Sequence, residues 1–501
     1  MAGEIKTLAK ETAIYGMSSI VGKFLNWLLT PLWSYVLVSQ AQMGVLSNLY
    51  GWTALMIVIL TYGMETGLFR FANKNEENPR TVYSTTLISI GSTTVIFLLL
   101  VILFLKPITG VTGSPDIKPH YVLIMVIILS MDAFCSIPFA WLRYQKRPLR
   151  FAFIKILFIV LNITFNLFFF VLCPWLAKNY PDSFTWFTLE NGVDYVLISN
   201  LLATFIQSIF LIPQLRIKYT FDKALLKRML RYSLPLLILG VAGILNQTID
   251  KIIFPWLYPD KANAMIQLGI YSACFKIGVI MVMFTQAFRY AFEPFIFAKS
   301  KDSASNRIAY ADATKYFILF GLLIFLGVMG YLDVVKYLIK STYHEGLIVV
   351  PIVMVGELFF GIYFNLSLWY KLTDQTKWGA YLSLIGLVVT LAINFAFIPR
   401  YGYLACAWAS FFANLVMMVF SYFLGQKNYA IDYDLKTIGG FFALALTLFA
   451  AMGLSRYVVP TRWLRLFINT LLIVVYLWMV IKKELPLREV PIIGKYFQKN
   501  K

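Results

Sequence analysis

Apolar stretches long enough to cross a bilayer follow one another down almost the whole 501-residue chain, about fourteen in all. Hydrocarbon offers backbone groups no hydrogen-bonding partner, so each crossing must satisfy its own N–H and C=O groups, and about 20 apolar residues in a helix do this. The class that follows is an all-α polytopic membrane protein. The spans read near 12–38, 42–64, 82–105, 119–142, 149–173, 194–214, 232–257, 268–296, 313–338, 346–370, 377–398, 402–424, 437–456 and 463–481. At 60% hydrophobic and 14% charged residues, the composition is far from that of a soluble domain. The first span is too long for a signal-peptide core and no small-residue cleavage site follows it, so it is expected to be retained.

Charge orients these spans. The formal net charge of +20 would suggest nucleic acid in a soluble protein. Here Lys and Arg gather in alternate connections, such as Arg143 to Arg150 and Arg216 to Arg231. They favour one side by about three to one. Both termini are therefore expected on the cytoplasmic side, with anionic headgroups rather than nucleic acid as the partner of the charge. The longest outward connection, near 174–193, is too short for a catalytic domain. Cys135, Cys173, Cys274 and Cys406 form no CxxC, and His120 and His344 cannot build a zinc site alone. Neither a disulfide framework nor a metal site is expected.

A weak internal repeat divides the chain. GVLSNLY (44–50) and GIYSACF (269–275) share a Gly-apolar-x-Ser pattern 225 residues apart, and Asn166 and Asn394 sit at a similar offset. Two parallel six-helix lobes imply a pseudo-two-fold along the membrane normal and a path between them. The expected units are helices 1–6 in 1–215, a linker at 216–231, helices 7–12 in 232–425, and two peripheral helices with a cytoplasmic tail in 426–501. Within the linker, TFDKALLKRMLR (220–231) alternates apolar and basic faces at helical spacing. It reads as an interfacial helix on the inner leaflet, or equally as a plain basic loop.

A charge at mid-bilayer costs ~2.5–3.5 kcal/mol on insertion scales, so each one implies a partner or water. Lys23, Asn26 and Thr30 at i, i+3, i+7 give the first span one polar stripe; Asn246 and Asp250 share a face of the seventh; Gln286, Arg289 and Glu293 share a face of the eighth. Lys23, Asn26, Asn246, Lys276 and Arg289 are the candidate lining of a cationic, polar cavity. Such a surface suits an anionic or hydroxyl-rich solute. Asp132, Asp250, Glu357, Glu293 and Glu65 are candidate charge partners or ion-coupling groups. Ion pairing in dry packing competes for each, and snorkelling to the interface is the stronger reading for Lys155.

Three blocks carry a family resemblance. YGMETGLFRFANK (62–74), LGIYSACFKIGVIMVMFTQAFRYAFEPFIF (268–297) and the stretch from GIYFNLSLWYKL through IPRYGYLACAWAS (361–410) resemble Wzx-type oligosaccharide flippases of the MATE-like MOP superfamily. The resemblance runs from about residue 5 to 480. It implies fourteen helices in two six-helix lobes plus two. It also implies movement of undecaprenyl-pyrophosphate-linked O-antigen, capsule or exopolysaccharide units from the inner to the outer leaflet of a bacterial plasma membrane. Cationic-cavity residues would fall on Lys23, Lys276 and Arg289. No catalytic residue and no cofactor is expected; coupling would be to a proton or sodium gradient through Asp132, Asp250 or Glu357. Expected partners are the lipid-linked oligosaccharide, the membrane lipids and the polysaccharide polymerase machinery. The alternatives are a MATE-type drug or metabolite antiporter, a membrane-embedded glycan polymerase or ligase, and a passive channel. The chain has no GxxxxGK[ST] motif to bind a driving nucleotide.

Overall fold

The computed structural model describes residues 21–74, 77–298, 304–373, 375 and 377–484, the side chains of 291, 293–298, 304–306, 371 and 372 excepted. Among these residues every regular element is helical. Thirteen helices are long and apolar enough to cross a membrane. They match the second to fourteenth expected spans in order, and the chain is a multi-pass membrane protein. The first expected span begins in residues 1–20, outside the described residues; its remainder is helical over 21–27 and in α1 (Leu29–Val36). Leu99, Leu103 and Val388 lie exposed on the outside, a surface that hydrocarbon solvates and water would not.

The second span is α2 (Gln40–Thr61) followed by α3 (Met64–Ala72). The break falls at Tyr62 and Gly63, both with positive φ. A side chain at Gly63 would be strained in that conformation and would press on the Ser233 carbonyl. The first half continues through α4 (Pro79–Leu103), α5 (Pro119–Tyr144), α6 (Pro148–Leu167) and α7 (Gly192–Leu215). The second half holds α8 (Lys223–Leu257), α9 (Ala264–Ala298), α10 (Ala304–Gly330), α11 (Val349–Leu366), α12 (Lys377–Tyr401) and α13 (Tyr403–Asn428). The last two helices, α14 (Leu435–Val458) and α15 (Arg462–Lys483), pack on each other and on α10.

The two copies of the repeat lie against each other. A methyl group on Gly44 would overlap the Met265 carbonyl, and one on Gly269 would overlap the Gln40 carbonyl. Each clash is the image of the other, because 40 and 265 share the offset of 44 and 269. One turn on, Ser272 Oγ and Ser47 Oγ are 2.6 Å apart. Helices α2 and α9 thus cross backbone to backbone, which glycine permits and larger residues forbid. Further bonds join the halves beside this crossing: Gln40 Nε2 donates to the Thr342 carbonyl at 3.0 Å, and Tyr35 Oη to the Tyr337 carbonyl at 2.8 Å.

Helix α2 is also pinned to α8. Pro255 lies inside α8 and has no N–H, so the carbonyl four residues earlier, Lys251, loses its helical donor. The buried Asn48 amide takes that place, donating to the Lys251 carbonyl at 2.8 Å. Asn48→Ala would leave that carbonyl unpaired. It is expected to cost about 1–3 kcal/mol, read as a lower unfolding temperature in detergent; an unchanged temperature would show the bond to be dispensable.

The stretch 220–231 is not a separate helix on the leaflet. Residues from Lys223 onward are the first turns of the 35-residue α8. Asp222 caps them, accepting from the Leu225 N–H at 2.9 Å. Leu225 and Met229 are fully buried among Met64, Leu68 and Tyr83 of the first half. Arg228 pairs with Glu77 at 2.7 Å, and Arg70 stacks on Tyr232 at 4.0 Å. The amphipathic face exists, but protein covers it.

Candidate functional site

Where the halves meet, beside the α2–α9 crossing, they enclose a cavity of about 360 Å³. The first half contributes Asn26, Thr30, Trp33, Ser47, Tyr50, Asn162 and Asn200 to its wall; the second contributes Thr248, Lys251, Ser272 and Lys276. The lining holds amides, hydroxyls, aromatic faces and two ammonium groups beside the apolar Leu29, Met43 and Leu46, and among the described residues no carboxylate. Trp33 and Tyr50 stack at 6.5 Å with nearly parallel rings. The Trp33 indole N–H is fixed by Asn166 Oδ1 at 2.7 Å, and Asn166 Nδ2 in turn donates to the Asn162 carbonyl at 2.8 Å. The Trp33 ring is thus held by a bond behind it, and the Tyr50 hydroxyl accepts from Asn200 Nδ2 of the wall at 3.4 Å.

The two lysines differ. Lys251 Nζ sits 3.2 Å from Asp250 Oδ1 and 4.7 Å from the centre of the Phe275 ring. Asp250 is buried and also accepts from Tyr271 Oη at 2.9 Å. Glu357 is half-buried and its charge acts on Lys251 from α11. Lys251 is therefore held by the Asp250 carboxylate behind the wall. Lys276 is exposed to the cavity, and among the described residues no carboxylate or carbonyl is bonded to its ammonium group. Its backbone carbonyl accepts from Trp27 Nε1 at 2.7 Å, tying the first helix to α9.

The remaining expected residues lie elsewhere. Lys23 and Arg289 lie further along, outside the cavity wall: Lys23 Nζ donates to Gln286 Oε1 at 2.8 Å, and Arg289 covers the Phe364 ring at 4.5 Å. They are close enough for their charges to interact. At 1.5 Å per residue, Arg289 is about 20 Å beyond Lys276 along α9. The polar stripe of the first helix thus faces α9 throughout, Lys23 toward Gln286, Asn26 and Thr30 toward the cavity. Asn246 does not reach the cavity. It packs between α8 and α12, where Thr390 Oγ1 donates to its Oδ1 at 2.7 Å. Asp132 and Lys155 interact within the first half, and Lys155 lies 3.9 Å over the Phe139 ring. Glu65 pairs with Arg143 away from the cavity. The Glu293 side chain lies outside the described residues.

Sequence periodicity did not select Lys251, Ser47, Ser272, Tyr50, Asn162 or Asn200 as wall residues. The repeat itself was the signal available for the two serines. Among the described residues no group of three or more His, Cys, Asp or Glu side chains is placed to hold a metal.

A family model described as "Polysaccharide biosynthesis protein" matches residues 8–299. Among solved structures, the lipid II flippase MurJ in an inward closed conformation resembles the chain with a TM-score of 0.71 at 14% identity, over 93% of this chain and 98% of that one. A MOP superfamily transporter from Pyrococcus furiosus gives 0.56 at 15% identity, over 84% and 97%. An outward-facing multidrug resistance MATE family transporter gives 0.54 at 15%, over 84% and 97%. At these identities the likeness concerns the fold. No curated protein matches the chain in sequence.

Proposed function

Because the chain belongs to the polysaccharide biosynthesis protein family, we propose that it is a flippase for lipid-linked oligosaccharides, moving undecaprenyl-pyrophosphate-linked repeat units from the inner to the outer leaflet of a bacterial plasma membrane. The observation that carries this reading is the pair of lysines, Lys251 and Lys276, in a wall that combines amides, hydroxyls and aromatic rings with the apolar Leu29, Met43 and Leu46. Pyrophosphate needs cations and N–H donors to replace its hydration, and sugars need hydroxyl partners and flat apolar faces. At about 360 Å³ the cavity suits a headgroup and not a whole repeat unit. Lys276 meets the phosphate, Lys251 supports it, and Asn26, Asn162 and Asn200 meet the first sugar, with Trp33 and Tyr50 alongside.

The lobes, 1–215 and 232–425, rock about the cavity with both termini cytoplasmic. The lipid tail stays in hydrocarbon while the headgroup crosses. Lys23 and Arg289, about 20 Å along α9 from Lys276, form a second cationic station on the way in. Asp250, the carboxylate bonded to Lys251, or Glu357 takes a coupling proton or sodium ion when a phosphate draws the lysine away. A drug antiporter of the same fold is disfavoured by the same two lysines, which repel the organic cations such exporters take.

The test is reconstitution of the full chain in vesicles carrying a labelled undecaprenyl-pyrophosphate oligosaccharide, with an enzyme that modifies only the outer leaflet's sugars. Faster loss of the protected fraction than in protein-free vesicles is expected. A rate equal to that of empty vesicles, at any imposed proton or sodium gradient, overturns the proposal.

A further inference from the structure

A second cavity, sharing no lining residue with the first, opens where α4, α5, α6 and α7 end on the side read as cytoplasmic. It is a cleft of about 860 Å³. Five cations line it, Arg80, Arg147, Arg150, Arg216 and Lys218, and among the described residues no carboxylate does. Nearby Arg143 and Arg228 are paired with Glu65 and Glu77. Among the described residues none of the five lining cations has an acidic partner within ion-pair distance. The N-terminal ends of α4 and α6, each opening on a proline, add their partial positive charge. Five like charges held in one concavity repel each other, and an anion placed among them relieves that repulsion.

What that anion is attached to is indicated by the surface above the cleft. Tyr219 belongs both to the cleft and to an apolar groove along α4 and α5, which includes Leu87, Val95, Ile96 and Phe134. Leu215 belongs both to the cleft and to a second apolar groove between α5 and α7, which includes Phe134, Phe205, Ile209 and Ile212. The two grooves flank α5 and both start at the basic cleft. They face the outside of the bundle, where Val95, Ile96 and Phe205 are more than half exposed.

We propose that this cleft and its two grooves are a binding site for an anionic phospholipid of the inner leaflet, the phosphate headgroup among the arginines and one acyl chain in each groove. A soluble phosphate would use the cleft and leave the grooves idle; a zwitterionic lipid would fill the grooves and leave the cations uncompensated. Basic pockets between spans on the cytoplasmic side are suited to anionic headgroups, each cation contributing about fivefold in affinity. The site is independent of transport chemistry, so its test does not depend on the flippase reading.

The full chain in non-ionic detergent is titrated with phosphatidylglycerol or phosphatidylcholine, and retained lipid is counted by native mass spectrometry. Preferential retention of phosphatidylglycerol is expected. Arg147→Gln, Arg150→Gln and Arg216→Gln together should weaken it on the order of 100-fold, while the corresponding three lysine substitutions, which keep the charge, retain most of it. Ile96→Trp, which fills one groove without touching a charge, should weaken phosphatidylglycerol retention and leave inorganic pyrophosphate binding unchanged. Equal retention of the two lipids, equal loss when Lys427 and Lys436 are neutralised instead, or full displacement of the lipid by inorganic pyrophosphate at matching concentration would each overturn the proposal.

Discussion

Replacing Lys276 with glutamate is expected to reduce transport of a pyrophosphate-linked substrate by about two orders of magnitude or more while the protein still inserts and folds. The basis is its place in the wall: exposed to the cavity, on α9, with its carbonyl fixed by Trp27 and its ammonium group unclaimed by any carboxylate among the described residues. A hydrogen bond from a charged donor contributes about 1.5–3 kcal/mol, and reversal adds repulsion from a doubly charged headgroup. Lys276→Gln should lie between, and Lys276→Arg should keep much of the rate. Lys251 gives a useful contrast. It is held by Asp250, so Lys251→Gln also leaves that buried carboxylate without its cation, and loss of stability should accompany loss of transport. Leaflet-resolved transport and detergent melting, measured together, separate the two. Wild-type transport by the Lys276→Glu protein would remove the phosphate role from this cavity.

The second large effect concerns the crossing of α2 and α9. In the Ser47→Cys, Ser272→Cys protein, mild oxidation is expected to bring transport down to the protein-free rate, and reductant to restore it. The hydroxyls are 2.6 Å apart, so two thiols there are within reach of a disulfide. The four native cysteines are buried and free, which leaves a quiet background. If alternating access opens the cavity at this end, the halves must part between these serines, and a covalent bond stops them. Each single substitution, under the same oxidation, should show no reductant-reversible loss of transport. Undiminished transport by fully cross-linked protein would mean that the crossing stays shut throughout the cycle and the substrate leaves by another way.

The spans were legible in the sequence because hydrocarbon imposes one solution on the backbone. Helical spacing puts Asn26 and Thr30 on one face, and both line the cavity together with Lys276 of α9. It failed where the question was which neighbour a polar face meets. Asn246 has the right period but faces Thr390 on α12, and Arg289 lies over a phenylalanine ring well away from the cavity. Lys251 does not share the face of Asn246 and Asp250, because adjacent helical residues point about 100° apart. A four-carbon lysine chain is long enough to bridge that angle and reach the cavity and the carboxylate together. The start of α8 shows the same limit. Leu225 and Met229 mark an apolar face, but lipid and protein are equally apolar partners, and only the fold decides that Tyr83 and Met64 cover it.

Residues placed on a molecular axis confront their own duplicates, and this restricts what they can be. A lysine would meet a lysine there, a leucine would wedge against a leucine, and a lone donor would find only another donor. Serine, whose hydroxyl both gives and receives, and glycine, which asks for no room, are self-compatible. The Ser47–Ser272 and Gly44–Gly269 pairs have the chemistry of a homodimer seam. It follows that residues 1–215 and 216–501, produced as separate polypeptides, carry matching surfaces and have the means to find each other.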